Sequence, residues 1–302
     1  MAQFSAATTG QEVVATIPER VKDKTFHITG PFPNGIGSAT AYALATESPR
    51  TLILLDRSKA KYQPVIDKIH DVNPLVNVKD NTTIDALFNN AGVITNDLMR
   101  TPDGFESQFV IKHLSHFLLT NLLMPRLLTS TSPRVVNISS LGHKYNEPTF
   151  QDPHLIDIDA EGYNPAGAYA QFKGAQILFS VALNQRYAQK GLRSFAVHPG
   201  NMDSGMYNHM KPEILMDMAQ RITGRSLEGA NEALTKTSEG GCATGLTAAL
   251  VPESPNDVFM NDCSVTKDSE FVTAWAQDAG KAEVCWRVSK EAVGQRFAMD
   301  LA

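Results

Sequence analysis

The stretch AYAQFKGAQILF, residues 168–179, holds a tyrosine and a lysine four positions apart, Tyr169 and Lys173. On a helix that spacing puts both side chains on one face. An ammonium beside a phenol stabilises the phenolate and draws the phenol's pKa down towards a working pH. A phenol tuned in this way can take a proton from an alcohol or give one to a carbonyl. Ser140 follows the apolar run RVVNIS (134–139). A hydroxyl at the end of that strand can hydrogen-bond the same substrate oxygen. Tyrosine, lysine and serine would then serve hydride chemistry, provided that the chain also holds a nicotinamide carrier.

A place for the carrier is written upstream. ITGPFPNGIGSAT follows the apolar run TFHIT (25–29) and opens a helix. Gly30, Gly35 and Gly37 allow a tight turn and a close approach to a pyrophosphate, and the helix N-terminus behind them favours negative charge. The strand–turn–helix context strengthens this reading over the glycines alone. Asp56 ends TLILLD (51–56), 19 residues after Gly37, where an acid on the adenosine ribose hydroxyls is expected. Asp56 repels a 2′-phosphate and favours NAD, whereas Arg57 can pair with that phosphate and favours NADP. The glycine loop has no basic residue, which leans the balance modestly to NAD.

The elements that must position these groups alternate along the chain. Apolar runs at 25–29, 51–56, 84–90, 134–139 and 192–199 are separated by helical stretches, including about 58–69, 104–129 and 166–190. Such continuous apolar strands with intervening helices predict an α/β fold with a parallel sheet covered on both faces. We read one Rossmann-type, doubly wound domain over residues 21–302, preceded by a flexible tail over 1–20. Residues 202–218 contain five methionines. They form either a loosely packed helical excursion or, as part of a lid over 200–225, an adaptable cover for an apolar substrate.

Composition narrows the function classes. The chain has 302 residues with a net charge of −5, which argues against a nucleic-acid partner. Its three cysteines are widely spaced and form no CxxC pair, so neither a disulfide framework nor a zinc site is expected, and no metal is expected. No secretory signal and no membrane span are read, giving a cytoplasmic expectation. His113, His116 and His143 read as packing or surface groups, and His198 as structural. Trp286 and Trp275 read as anchors of the last helix rather than covers of the substrate mouth.

TGPFPNGIG, NNAG (89–92), VVNISS, YAQFK (169–173) and HPGNMDS (198–204) together resemble the short-chain dehydrogenase/reductase family. HLSHFLLTNLL and SSLGH make the chain most similar to its retinol-dehydrogenase-like branch. The resemblance runs from about residue 20 to the C-terminus. It implies an NAD(P)-dependent enzyme that interconverts a small apolar alcohol and its carbonyl. Tyr169 would be the acid–base, Lys173 its partner and Ser140 the group holding substrate oxygen. Gly30, Gly35, Ile36 and Gly37 would line the pyrophosphate. Asn89, Ala91 and Gly92 would lie beside the adenosine ribose. Pro199, Gly200 and Ser204 would bracket the nicotinamide, next to Tyr169 and Lys173. The long helices are surfaces the family often pairs into homo-oligomers.

Three departures qualify the resemblance. The glycine loop is one residue longer than TGxxxGxG and carries Pro31 and Pro33, which lack an N–H. Lys112 stands where the family has an asparagine thought to hold a water that relays protons towards the lysine. An inward Lys112 would repel Lys173 and lower its pKa, weakening the relay, whereas an outward one would leave room for a water. Finally, only residues 57–83 separate Asp56 from the next strand, too few for a helix, a strand and a second helix. The third strand and its helix are predicted absent or vestigial, with 70–83 passing under the sheet and a strand edge left bare. The family's adenine-pocket aspartate would also be lost, leaving Asp80 as a doubtful substitute. Cofactor binding and stability should weaken. A non-catalytic dinucleotide-binding or interaction protein is the alternative.

Overall fold

The computed structural model describes residues 4–78, 83–148, 162–202, 210–226, 228–229, 236–251 and 257–297. Asp80 and Ser204 lie outside the described residues, as does part of 200–225. A seven-stranded sheet organises the rest, in the order β2-β1-β3-β4-β5-β6-β7. Its strands are β1 (Thr25–Thr29), β2 (Thr51–Leu55), β3 (Ala86–Asn89), β4 (Arg134–Ile138), β5 (Arg193–His198), β6 (Phe259–Asn261) and β7 (Ser264–Val265). All neighbours are parallel except β6 and β7. β1 and β4 are buried at every position because helices cover both faces, which explains their unbroken apolar runs.

One face packs α1 (Gly10–Thr16), α2 (Ile36–Ala45), α3 (Lys59–Val72), α7 (Ser238–Gly241) and α8 (Ala243–Leu250). The other face packs α4 (Ser115–Leu127), α5 (Pro165–Tyr187) and α9 (Ala279–Val293), while α6 (Pro212–Thr223) lies apart, over the start of α5. Trp286 sits in that second core against Phe117 and Phe179, with the Arg186 guanidinium 4.0 Å over its ring, so it anchors the last helix. Trp275 packs against Gly174 of α5 and near His143.

The expected flexible tail over 1–20 needs correction. Thr9 and Glu12 form a reciprocal capping box that starts α1. Val13 and Val14 are fully buried, and Gly10 packs against Cys242 and Leu246. The signal was present as Thr-x-x-Glu before a pair of valines. All three cysteines are free and buried, and burial pushes the Cys242 thiol up to about 12.

The third strand is reduced, among the described residues, to one contact. Thr51 and Asn77 form a single parallel bridge, and the Leu52 N–H donates to the Asn77 carbonyl at 2.9 Å. Residues 79–82, part of the path expected to pass beneath the sheet, lie outside the described residues, while 73–77 turn from the end of α3 onto the edge of β2. Val76 reaches the core and pulls them there, and the Asn73 side chain ties the end of α3 to the Ala45 carbonyl. Leu75 remains 93% exposed on this edge.

Candidate active site

The strand order reverses between β1 and β3, which opens a crevice at the carboxyl ends of those strands. Gly30 lies just past β1 and Asn90 just past β3. α2 begins at Ile36 with no side chain capping its first N–H groups, so they remain free to meet an anion. Pro31 and Pro33 remove donors from the loop but not from this helix start. The Asn90 amide donates to the carbonyls of Thr29 and Gly30, both at 2.9 Å, and locks the loop to the sheet. A Cβ on Gly37 would come within 2.6 Å of that amide nitrogen and 2.7 Å of the Gly30 oxygen. Only glycine fits there. Gly37→Ala is expected to spread the loop and raise the dissociation constant for NADH by about tenfold, roughly the loss of one charge-assisted hydrogen bond. A fluorescence titration with NADH checks this.

Asn89 does not reach this crevice. Its side chain is fully buried and donates to Thr120 Oγ1 (3.0 Å) and Asn137 Oδ1 (2.8 Å), clamping β3 to β4 and α4. Side chains alternate along a strand, so the interior takes Asn89 and the crevice takes Asn90. The NNAG motif marked the place but not the parity. Ala91 and Gly92 are half-buried, the Ala91 N–H donating to Thr29 Oγ1 at 2.9 Å. Asp56 and Arg57 are exposed after β2, and Asp56 Oδ1 accepts from the Ser58 N–H at 3.2 Å. Pro199 and Gly200 follow β5, and the Lys236 side chain lies against Gly200 while pairing with Asp262 at 2.6 Å. Nothing in the local sequence marked Lys236.

Ser140, Tyr169, Lys173 and Lys112 converge. Ser140 caps a 3-10 turn, Leu141–Tyr145, its Oγ accepting from the Gly142 N–H at 3.0 Å. Tyr169 and Lys173 are both buried on α5. A Cβ on Gly142 would stand 2.6 Å from the Tyr169 ring and 3.3 Å from Ser140 Oγ, so this glycine lets the serine turn and the phenol ring meet. Lys173 Nζ donates to the Ile138 carbonyl at 2.5 Å and lies 5.7 Å from the Tyr169 ring centre. Burial pulls its pKa down to about 7.

Lys112 turns inward and is fully buried. It sits in a π-helical turn, Val110–Leu114, between a short helical turn (Ser107–Phe109) and α4. Its Nζ lies 4.2 Å from the Tyr169 ring centre and donates to Gln108 Oε1 at 2.7 Å. Gln108 in turn donates to the Tyr163 hydroxyl (2.7 Å), which donates to the buried Glu106 (2.8 Å). The Lys112 carbonyl accepts from Gln176 Nε2 at 3.0 Å and from His116 Nδ1 at 3.2 Å. The expected repulsion falls on Lys112 rather than on Lys173. Burial first, then the Lys173 charge, holds the Lys112 amine well below its usual range, with Glu106 opposing.

His113, His116, His143 and His198 bond to neighbouring elements of the scaffold. His143 Nε2 accepts from the Thr273 N–H, so its Nδ1 carries the proton and donates to the Ser140 carbonyl at 2.7 Å. His198 Nδ1 accepts from the Leu141 N–H at 3.4 Å, which steadies the same serine turn. His113 meets Ser289 Oγ at 2.6 Å, and His116 Nε2 meets Thr29 Oγ1 at 3.0 Å. Among the described residues no group of His, Cys, Asp and Glu could hold a metal, and no helix is long and apolar enough to cross a membrane.

A doubly wound sheet with a glycine-loop crevice beside a Ser–Tyr–Lys cluster defines a Rossmann-type oxidoreductase. A family profile for short chain dehydrogenases matches residues 75–151. The short-chain dehydrogenase/reductase prx1 of Penicillium roqueforti is 33% identical over 269 residues, covering 81% of this chain and 75% of that protein. Human retinol dehydrogenase 12 is 30% identical, covering 87% and 84%. Among solved structures, an uncharacterised Mycobacterium paratuberculosis protein superposes with a TM-score of 0.69 at 26% identity, over 94% of this chain and 98% of that one. The chain belongs to the short-chain dehydrogenase/reductase family, on its retinol-dehydrogenase-like branch, as an NAD(P)-dependent enzyme.

Proposed function

We propose that this enzyme interconverts an apolar alcohol and its aldehyde or ketone, with Tyr169 as acid–base. The convergence of the Ser140 turn and the Tyr169 ring on Gly142 carries this reading, because it brings two hydroxyl-bearing side chains to one place beside the crevice. The nicotinamide would supply or accept hydride when bound. Gly30, Gly35, Ile36 and Gly37, with the N-terminus of α2, would hold its pyrophosphate. Asn90, Ala91 and Gly92 would form the floor beneath the ribose, and Pro199, Gly200 and Ser204 would bracket the ring. Ser140 Oγ already accepts from Gly142, which leaves its O–H to donate to substrate oxygen. Tyr169 moves the proton at that oxygen, and the charged form of Lys173 favours its phenolate.

An apolar substrate suits the surroundings of Tyr169. Met210 and Met218 pack against it and Ala166, with Ile94, Tyr145, Ile214 and Leu215 around them. Human retinol dehydrogenase 12 is named for an alcohol of this kind. Asp56 after β2 favours NAD over NADP by repelling a 2′-phosphate. NADH is therefore expected to bind a few-fold tighter than NADPH, and Asp56→Ala is expected to reverse the order. Titrating cofactor fluorescence, then adding a long-chain aldehyde and following its loss, tests both the preference and the reaction. A second reading, a dinucleotide-binding protein without turnover, is favoured by the buried Lys112 in the relay position. Binding without oxidation of NADH would support it.

A further inference from the structure

Tyr145 closes the 3-10 turn that Ser140 opens, and its hydroxyl joins three elements. It donates to Asp217 Oδ2 of α6 at 2.5 Å. It accepts from Asn164 Nδ2 at 3.3 Å. Asn164 is the N-cap of α5, its Oδ1 accepting from the Gly167 N–H at 3.0 Å, two residues before Tyr169. On α6 the Arg221 guanidinium pairs with Asp217 at 2.9 Å and lies 4.9 Å over the Tyr145 ring. One hydroxyl therefore ties the covering helix to the turn that presents Ser140 and to the start of the helix that presents Tyr169. The adjoining face of α6 carries Met218, Ile214 and Leu215 onto the Tyr169 cluster, where the Tyr145 ring also packs.

We propose that Tyr145 is a positioning residue for the reaction, fixing α6 so that its apolar face registers a long substrate chain against Ser140 and Tyr169. The proposal rests on the alcohol–carbonyl reading above. A hydrogen bond to a carboxylate is among the stronger kinds, and the same carboxylate is held in place by Arg221, although both of those side chains face solvent. The apolar packing of α6 alone leaves the helix free to slide, because methionine contacts are adaptable. The Tyr145–Asp217 bond supplies the direction that such packing lacks. Burial, with Asp217, holds the Tyr145 pKa above its ordinary value, so the hydroxyl stays a donor through the working range.

The test uses the full chain, with Tyr145→Phe and Asp217→Ala, two substitutions that leave the Tyr169 cluster in place. Hydrogen exchange of amides 213–223 is expected to speed about tenfold in each variant, with β1 and β4 unchanged. With NADH or NADPH as reductant, the ratio of kcat/KM for decanal to that for propanal is expected to fall about tenfold, through KM for decanal. The double variant should be no worse than either single one, as partners in one bond require. Unchanged exchange in α6 overturns the proposal, as does faster exchange with an unchanged decanal-to-propanal ratio or additive single effects. The exchange arm reports on the junction without turnover. Failure of the alcohol–carbonyl reading would appear separately, as a parent chain that binds NADH yet oxidises it with neither aldehyde.

Discussion

Tyr169→Phe is expected to lose turnover by about 10³-fold or more while binding NADH as the parent does, the range set by losing a positioned acid–base group. The substitution removes one oxygen and keeps the ring. The ring contacts with Gly142, Lys112, Met210 and Met218 therefore survive, and the fold around them with it. Ser140 would still hold substrate oxygen, which accounts for residual activity above the uncatalysed rate. Single-turnover oxidation of NADH by an aldehyde, read beside the binding isotherm, separates the two outcomes. Turnover at the parent rate would remove Tyr169 from the chemistry and leave the convergence on Gly142 as mere packing.

Lys112→Met is the second large expectation, and its first effect is on stability. Lys112 is fully buried, and its amine loses its proton at a pH well below the ordinary lysine value of 10.5. Between the folded and unfolded values the unfolded chain binds a proton that the folded chain does not. In that window stability rises with pH, and the penalty is large at neutral pH. Methionine fills a similar volume without this cost. Gain on such exchanges is about 1–4 kcal/mol. Leaving Gln108 Oε1 without its donor takes back about 1–3 kcal/mol. The variant is therefore expected to melt higher at pH 7, with the advantage shrinking as pH climbs towards 10.5. Urea unfolding at pH 7 and pH 10 reads the difference. A variant less stable at pH 7 would show that the Gln108–Tyr163–Glu106 chain outweighs the buried amine.

The same site bears on catalysis. Lys112 stands where the resemblance implies a relay asparagine, and its carbonyl is already engaged by Gln176 and His116. Lys112→Asn is expected to raise turnover and alter its pH profile. Unchanged turnover across pH would mean that the amine does not weaken the relay.

Much of the fold was legible because its strands are buried on both faces. TFHIT and RVVNI read as unbroken apolar runs, and helices between them require parallel crossovers. The shortage of residues after Asp56 followed from counting, since a helix has a minimum length and a crossover a minimum span. The single bridge at Asn77 did not follow, because one buried valine, Val76, decides which way a short segment turns. α1 was passed over although its capping box is local, because seven residues carry too little periodicity to stand out from a tail.

The sequence by itself determined the parts the proposed chemistry would use: which hydroxyls and amines exist, their spacing of four on a helix, and a glycine loop after a strand. Those depend on local geometry, which a few neighbouring residues fix. Only the tertiary structure decided that Asn90 rather than Asn89 meets the loop, that Lys112 points at Tyr169, and that Tyr145 bonds a helix 72 residues away. Each of these turns on which side of a strand or helix faces a distant element, and burial of the whole core settles that choice.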